Sequence, residues 1–279
     1  MGLVAVGSVR SCGATTLVLG LAATWPEARR VVLVEADPAG GTLGAASGWP
    51  GEPSLVSLAA AARRGADPEL VFDHCQALPG GTAVLAAPAA PEQSRAALGM
   101  AQRLLARLGE LDADVIVDCG RLDPGSPALP VVARADRLLV AVRPRLADLH
   151  ATATWLAARP FGDVPVALVA VGDGPYPDAE IAEALGVEVA ARLPWDPDAA
   201  EALVAMPAST RRLRLAPLVR TARTLAEHLS RRRGAQPEAE AVPQPAKAAG
   251  RLGRRVLAPW RSEPTAVSAN ASATNGVSR

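Results

Sequence analysis

Short unbroken apolar runs alternate along the chain with longer stretches whose apolar positions recur at helical spacing. Leu3–Gly7, Val31–Asp37, Thr82–Ala86, Val115–Asp118, Arg137–Val142, Val164–Val171 and Glu188–Leu193 read as buried strands. An apolar helix follows the first strand and runs through Leu21. Further helices are predicted at Leu55–Arg64, Glu92–Leu108, Pro127–Ala133, Leu146–Ala158 and Pro177–Leu185. The clearest helix closes the series at Leu215–Ser230, where Leu215, Leu218, Val219, Ala222, Leu225, Ala226 and Leu229 share one face. Arg220, Arg223 and Glu227 fall on the other. Strands alternating with helices predict an α/β fold with a doubly wound, mostly parallel sheet.

The pattern stops near Arg233. Gly234–Gly250 is rich in Ala, Pro, Gln and Glu, and Thr265–Arg279 in Ser, Ala and Asn, compositions that cannot bury a core. The expected organisation is one domain over 1–233 and a disordered tail over 234–279. Inside that tail, Arg251–Arg261 places Leu252, Val256 and Trp260 at helical spacing among arginines.

Composition sharpens this picture. A chain of 279 residues that is 49% hydrophobic can bury one large core, and with 3% aromatics that core must be Ala, Val and Leu. A formal net charge of +1 selects no polyanionic or polycationic partner. The three cysteines have neither metal-ligand nor disulfide-framework spacing, which fits a reducing compartment. With no leader-like start and no apolar stretch of spanning length, the expectation is a cytoplasmic protein.

The candidate chemistry lies at strand ends. After Leu3–Gly7 comes Ser8-Val-Arg10-Ser11-Cys12-Gly13-Ala14-Thr15-Thr16, then the helix. This is the layout of a phosphate-binding loop, whose backbone N–H groups and helix N-terminus attract anions. Such loops carry Lys before the Ser/Thr. Here Ala14 stands in that place, and the only lysine in the chain is Lys247. The second strand ends in Glu35-Ala-Asp37-Pro-Ala-Gly-Gly41, and the strand at Val115 ends in Asp118-Cys119-Gly120. Ligands of doubly wound sheets sit outside the carboxyl ends of the strands. Gly13, Thr15, Glu35, Asp37 and Asp118 therefore converge on one candidate Mg²⁺-nucleotide site. Each has a plainer reading. The loop also serves as a tight βα turn, Glu35 and Asp37 as caps of the next turn, and Asp118 as a satisfied strand-end acid. Arg10 is either a solvated loop residue or the source of the missing phosphate charge. Cys12 and Cys119 read as small buried residues, and Trp195 as packing. His74, His150 and His228 show no ligand spacing. Arg211–Arg214, Arg220, Arg223 and Arg231–Arg233 form either a solvated face or a DNA-facing patch.

Together these segments resemble the MinD/ParA group of P-loop ATPases, whose deviant loop reads K-G-G-x-G-K-T-T. Its last residues fall on Gly13-Ala14-Thr15-Thr16, and its first lysine on Val9, so both lysines are absent. Glu35–Gly41 is similar to the group's D-x-D-P-Q-G segment, and Asp118 matches its Walker B aspartate. Ala135-Asp136 through Pro144 resembles its A-D-x-x-x-x-V-x-x-P segment. Val171-Gly172-Asp173 departs from it where a base-reading Asn often stands. The resemblance implies binding of ATP and Mg²⁺, with Arg10, Ser11, Cys12, Gly13, Ala14, Thr15 and Thr16 around phosphate. Thr15 and Asp118 would hold the metal, and Asp37 would orient water. It further implies a nucleotide-dependent homodimer that positions or partitions a cargo in cell division or chromosome segregation by meeting DNA, a membrane or a partner machine. Residues 251–261 are similar to a terminal membrane-contacting helix, which would place the protein at the inner membrane face. The missing lysines resemble degenerate CpaE/TadZ-type members that localise secretion or pilus assemblies, and imply weak hydrolysis at most. A nucleotide-free adaptor on the same fold remains the alternative. An NAD-type Rossmann enzyme would need a G-x-G-x-x-G run that the first turn lacks.

Overall fold

The computed structural model describes residues 2–26, 30–78, 81–205 and 211–232. Among them, eight strands form one sheet: β1 (Gly2–Ser8), β2 (Val31–Glu35), β3 (Gln76–Ala77), β4 (Ala83–Leu85), β5 (Asp114–Arg121), β6 (Arg137–Val142), β7 (Val166–Val171) and β8 (Val189–Leu193). Their order is β3-β4-β2-β5-β1-β6-β7-β8. Every pairing is parallel except β3 with β4. The strands carry Val, Leu and Ala on both sides because both faces are covered, as a parallel sheet requires. Along β5, Val115, Val117 and Cys119 join one core and Ile116 the other, the period of two of a pleated strand.

The helices are α1 (Ala14–Thr24), α2 (Leu43–Ala46), α3 (Leu55–Ala62), α4 (Leu70–Asp73), α5 (Pro91–Leu105), α6 (Leu129–Val132), α7 (Leu146–Ala158), α8 (Asp178–Leu185), α9 (Pro197–Ala205), α10 (Arg211–Leu215) and α11 (Pro217–Arg232). Leu55 and Leu58 of α3, Leu98 and Leu104 of α5, Leu149 of α7 and Ile181 of α8 cover one face. Leu17 and Leu21 of α1, Leu203 of α9, and Leu218 and Leu225 of α11 cover the other. α1 is buried almost all round because it lies between the sheet and α11. An added Cβ at Gly20 would stand 3.0 Å from the Ala222 methyl.

The doubly wound α/β expectation holds, and Arg137–Val142 and Leu146–Ala158 are found with the expected limits. Three differences have physical reasons. Leu215 does not belong to the stripe of α11. It ends α10, is 61% exposed, and is cut off by Pro217, which starts a new helix and resets its phase. The two-residue β3 and the short α2, α4 and α10 are below the length at which periodicity speaks. β5 runs past Asp118 to Arg121, carried by a register shift on β1 between Val6 and Ser8. The expected tail, with Arg251–Arg261, lies outside the described residues. No helix among the described residues is long and apolar enough to cross a membrane.

Candidate functional site

β1 is central, and the winding of the chain reverses across it, since β5 and β6 flank it on opposite sides. The carboxyl ends of β1, β2 and β5 therefore meet at one crevice. The loop after β1 closes on Gly13, whose φ of 98° lies in the left-handed region that favours glycine. The turn aims the N-terminus of α1 into a cleft of about 320 Å³. Ser8, Ser11, Cys12, Gly13, Ala14 and Thr15 line one side, and Asp37, Arg95, Arg121 and Asp123 the other.

Asp118 lies behind the cleft, 2% exposed. It accepts the Gly120 N–H at 2.9 Å, and the nearby Thr15 side chain also favours its charged form. Burial, seconded by the charges of Asp37 and Glu35, pushes its pKa up to about 6 against these two effects. Asp37 takes the Ala39 N–H at 2.7 Å, and its carboxyl group rests against Gly120. Gly120 has a φ of 56°, and an added Cβ would meet the Asp37 carboxyl carbon at 2.0 Å. Burial raises the Asp37 pKa, opposed in part by the Ala39 N–H and then by the Arg121 guanidinium. Ser94 Oγ donates to the Asp37 carbonyl at 2.7 Å, and Arg95 Nε to the Pro38 carbonyl at 3.3 Å, so α5 braces this loop.

The structure thus brings Ser11, Cys12, Gly13, Ala14, Thr15 and Asp37 to one cleft, with Asp118 buried beneath it. It does not bring Arg10 or Thr16 to the lining, and Arg10 is exposed. Glu35 has the plainer of its two roles. Its carboxylate accepts the N–H groups of Thr42 at 2.8 Å, Leu43 at 3.0 Å and Ala87 at 3.0 Å, and so anchors the glycine turn. These bonds use three of the four acceptor positions of a carboxylate that is buried and outside the cleft lining. Cys12 and Cys119 are buried thiols, as expected. Burial raises Cys12 to about 11, so it stays protonated.

Two site residues escape the sequence patterns. Arg121 and Arg95 are the cations of the cleft, and Arg121 Nη2 donates to Ser11 Oγ at 2.9 Å. A cation three places after the strand-end Asp118 is the signal, readable only once β5 is known to continue. Trp195 is not packing: the chain leaves the sheet at Pro194, and the indole is 64% exposed with the Arg143 guanidinium 5.5 Å from its centre. A larger groove of about 620 Å³ beside Trp49 has Glu52 as its one titratable side chain.

Among the described residues, no group of three or more His, Cys, Asp or Glu side chains is placed to hold a metal. Thr15 and Asp118 offer the one or two protein oxygens that Mg²⁺ takes when phosphate and water complete its shell.

No protein-family model and no curated protein matches the chain. Solved structures do. A ParA family ATPase from Chlorobium tepidum TLS is 18% identical with a TM-score of 0.69, covering 81% of this chain and 99% of that one. The fold is that of the MinD/ParA ATPases. The septum site-determining protein MinD of Pyrococcus horikoshii OT3, complexed with Mg-ADP, is 16% identical with a TM-score of 0.64 over 85% and 99% of the two chains. Cobyrinic acid a,c-diamide synthase from Mycobacterium smegmatis, with an ATP analog and magnesium, gives 20% and 0.56 over 84% and 96%. The MinD/ParA-like fold thus spans nearly the whole of each neighbour.

Proposed function

We propose that the cleft binds an adenine nucleotide with Mg²⁺, and that the protein is a nucleotide-responsive positioning or partitioning protein of the MinD/ParA kind. The placement of the Thr15 hydroxyl close to the Asp118 carboxylate at the N-terminus of α1 carries this reading. It sets a hydroxyl, with a carboxylate behind it, beside an anion-attracting turn, on a fold whose neighbours were solved with Mg-ADP and with an ATP analog and magnesium. Loop amides would hold phosphate, Thr15 and Asp118 would hold the ion directly or through water, and Asp37 would orient the attacking water. The ion, when bound, would neutralise phosphate charge. Ala14 leaves the loop without the cation that stabilises developing charge, so hydrolysis is slow or absent, well below the ~1–100 s⁻¹ typical of kinases. Nucleotide-dependent dimerisation and recruitment of a protein partner complete the reading. DNA or membrane contact, the latter through residues 251–261, are the further forms it takes.

The absent lysine favours one competitor, an adaptor that keeps the fold without nucleotide. Calorimetric titration with ATP, ADP and GTP, with and without Mg²⁺, separates the two. Wild-type protein binds ATP or ADP, and Thr15→Ala weakens the Mg²⁺-dependent part. No affinity at millimolar nucleotide would sink the nucleotide reading and leave the adaptor.

A further inference from the structure

The cleft has lost its loop cation but not its positive charge. β5 continues three residues beyond Asp118, and Ser8 pairs with Arg121 across the register shift. The Leu122 N–H donates to the Ser8 carbonyl at 2.9 Å, and the Leu122 side chain fills the space over Gly7, where an added Cβ would meet it at 2.7 Å. These contacts fix the backbone of Arg121 beside the loop. Its guanidinium then reaches Ser11 Oγ at 2.9 Å and lines the same cleft as Gly13, Ala14 and Thr15. A guanidinium has five N–H donors in a rigid fork, and the Ser11 contact uses one. Arg95 lines the cleft from α5, beside the Asp37 loop. The lining therefore holds two carboxylates, Asp37 and Asp123, against two cations, Arg121 and Arg95. Without the arginines, an incoming polyphosphate would face acids alone.

We infer that Arg121 is the phosphate-binding cation of this site, supplied by the end of β5 instead of the loop, with Arg95 as a weaker second. The ligand class is a nucleoside di- or triphosphate, or any short polyphosphate presenting adjacent anionic oxygens to the fork. The inference rests on the nucleotide reading above and adds where the charge comes from. It also assigns no phosphate contact to Arg10.

The test titrates the full chain with Mg-ATP, Mg-ADP and inorganic tripolyphosphate. Arg121→Ala is expected to raise Kd for all three by about tenfold or more, the scale of a lost charge-assisted hydrogen bond. Arg121→Lys recovers part of the loss, since charge returns but the fork does not. Arg95→Ala costs less, and Arg103→Ala, exposed on the far part of α5, leaves Kd within about twofold. Arg121 is exposed, so its removal leaves the melting temperature nearly unchanged and the loss cannot be laid to unfolding. Because Arg121 also lies near Asp37, the comparison is repeated on Asp37→Ala. A direct phosphate contact still costs about tenfold there. If Arg121→Ala costs nothing on that background, Arg121 only offsets Asp37, and the inference is overturned. It is overturned equally if Arg121→Ala binds like wild type, or if the loss appears in Arg10→Ala instead, and in both cases the nucleotide reading stands. Wild-type protein that binds none of the three ligands overturns both.

Discussion

Asp118 is a carboxylate held in a place that disfavours its charge. Its folded pKa of about 6 stands above the ordinary 3.8. Between those values the folded chain binds a proton that the unfolded chain releases, so stability falls as pH rises from about 4 through 6 and stays reduced at neutral pH. At about 1.4 kcal/mol per pH unit, the cost at pH 7 is at most roughly 3 kcal/mol. Asp118→Asn is therefore expected to stabilise the nucleotide-free protein at pH 7.5, with the gain shrinking as pH falls through 6 toward 4. Urea unfolding at several pH values measures it, and a loss of stability at neutral pH would contradict the assigned direction. At this scale the sequence was legible wherever position alone decides the role. Gly13, Thr15, Asp37 and Asp118 fall at strand ends or a helix start, and the structure gathers them at one crevice. It was not legible where a role depends on which backbone groups come near. Glu35 and Asp37 are alike in sequence, yet only Glu35 meets three N–H groups, one of them from Ala87 on a distant segment. Arg121 depends on a register shift that no residue pattern announces.

At the scale of elements, α1 and α11 form the strut behind the loop. Leu218 and Ala222 of α11 pack on Gly20 of α1, and the closeness of Gly20 to Ala222 leaves no room for a larger side chain. Gly20→Leu adds a better helix former yet is expected to cost about 1–3 kcal/mol, because overpacking forces the helices apart. Urea midpoints decide this, and an unchanged midpoint would mean that α11 yields freely. The buried stripe of α11 was readable from periodicity because six apolar residues at 218–229 all find the sheet side. Its beginning was not, because Leu215 continues the spacing in sequence while Pro217 breaks the helix in space. Trp195 misleads in the same way, a large apolar residue that the end of β8 carries past the core.

For the whole molecule, both faces of the sheet are covered by described helices, α3, α5, α7 and α8 on one side and α1, α9 and α11 on the other. Truncation after Arg233 is expected to leave the melting temperature nearly unchanged. A large drop in a thermal melt would show the tail packed on the domain and refute the division at 233.

Glu35 holds Thr42, Leu43 and Ala87 with one carboxylate, the Gly41 N–H meets the Pro88 carbonyl, and Ser94 holds the carbonyl of Asp37. A surface loop fastened at its stem alone can open by itself and often. This one is laced along its length to the segment that leads into α5. Residues 37–43 and 86–94 therefore open together or stay shut together, as one cooperative unit whose openings are rarer than those of a free loop. The carbonyls of Asp37 and Pro38 are thereby tied to the first turn of α5, so the loop and the helix share one local stability.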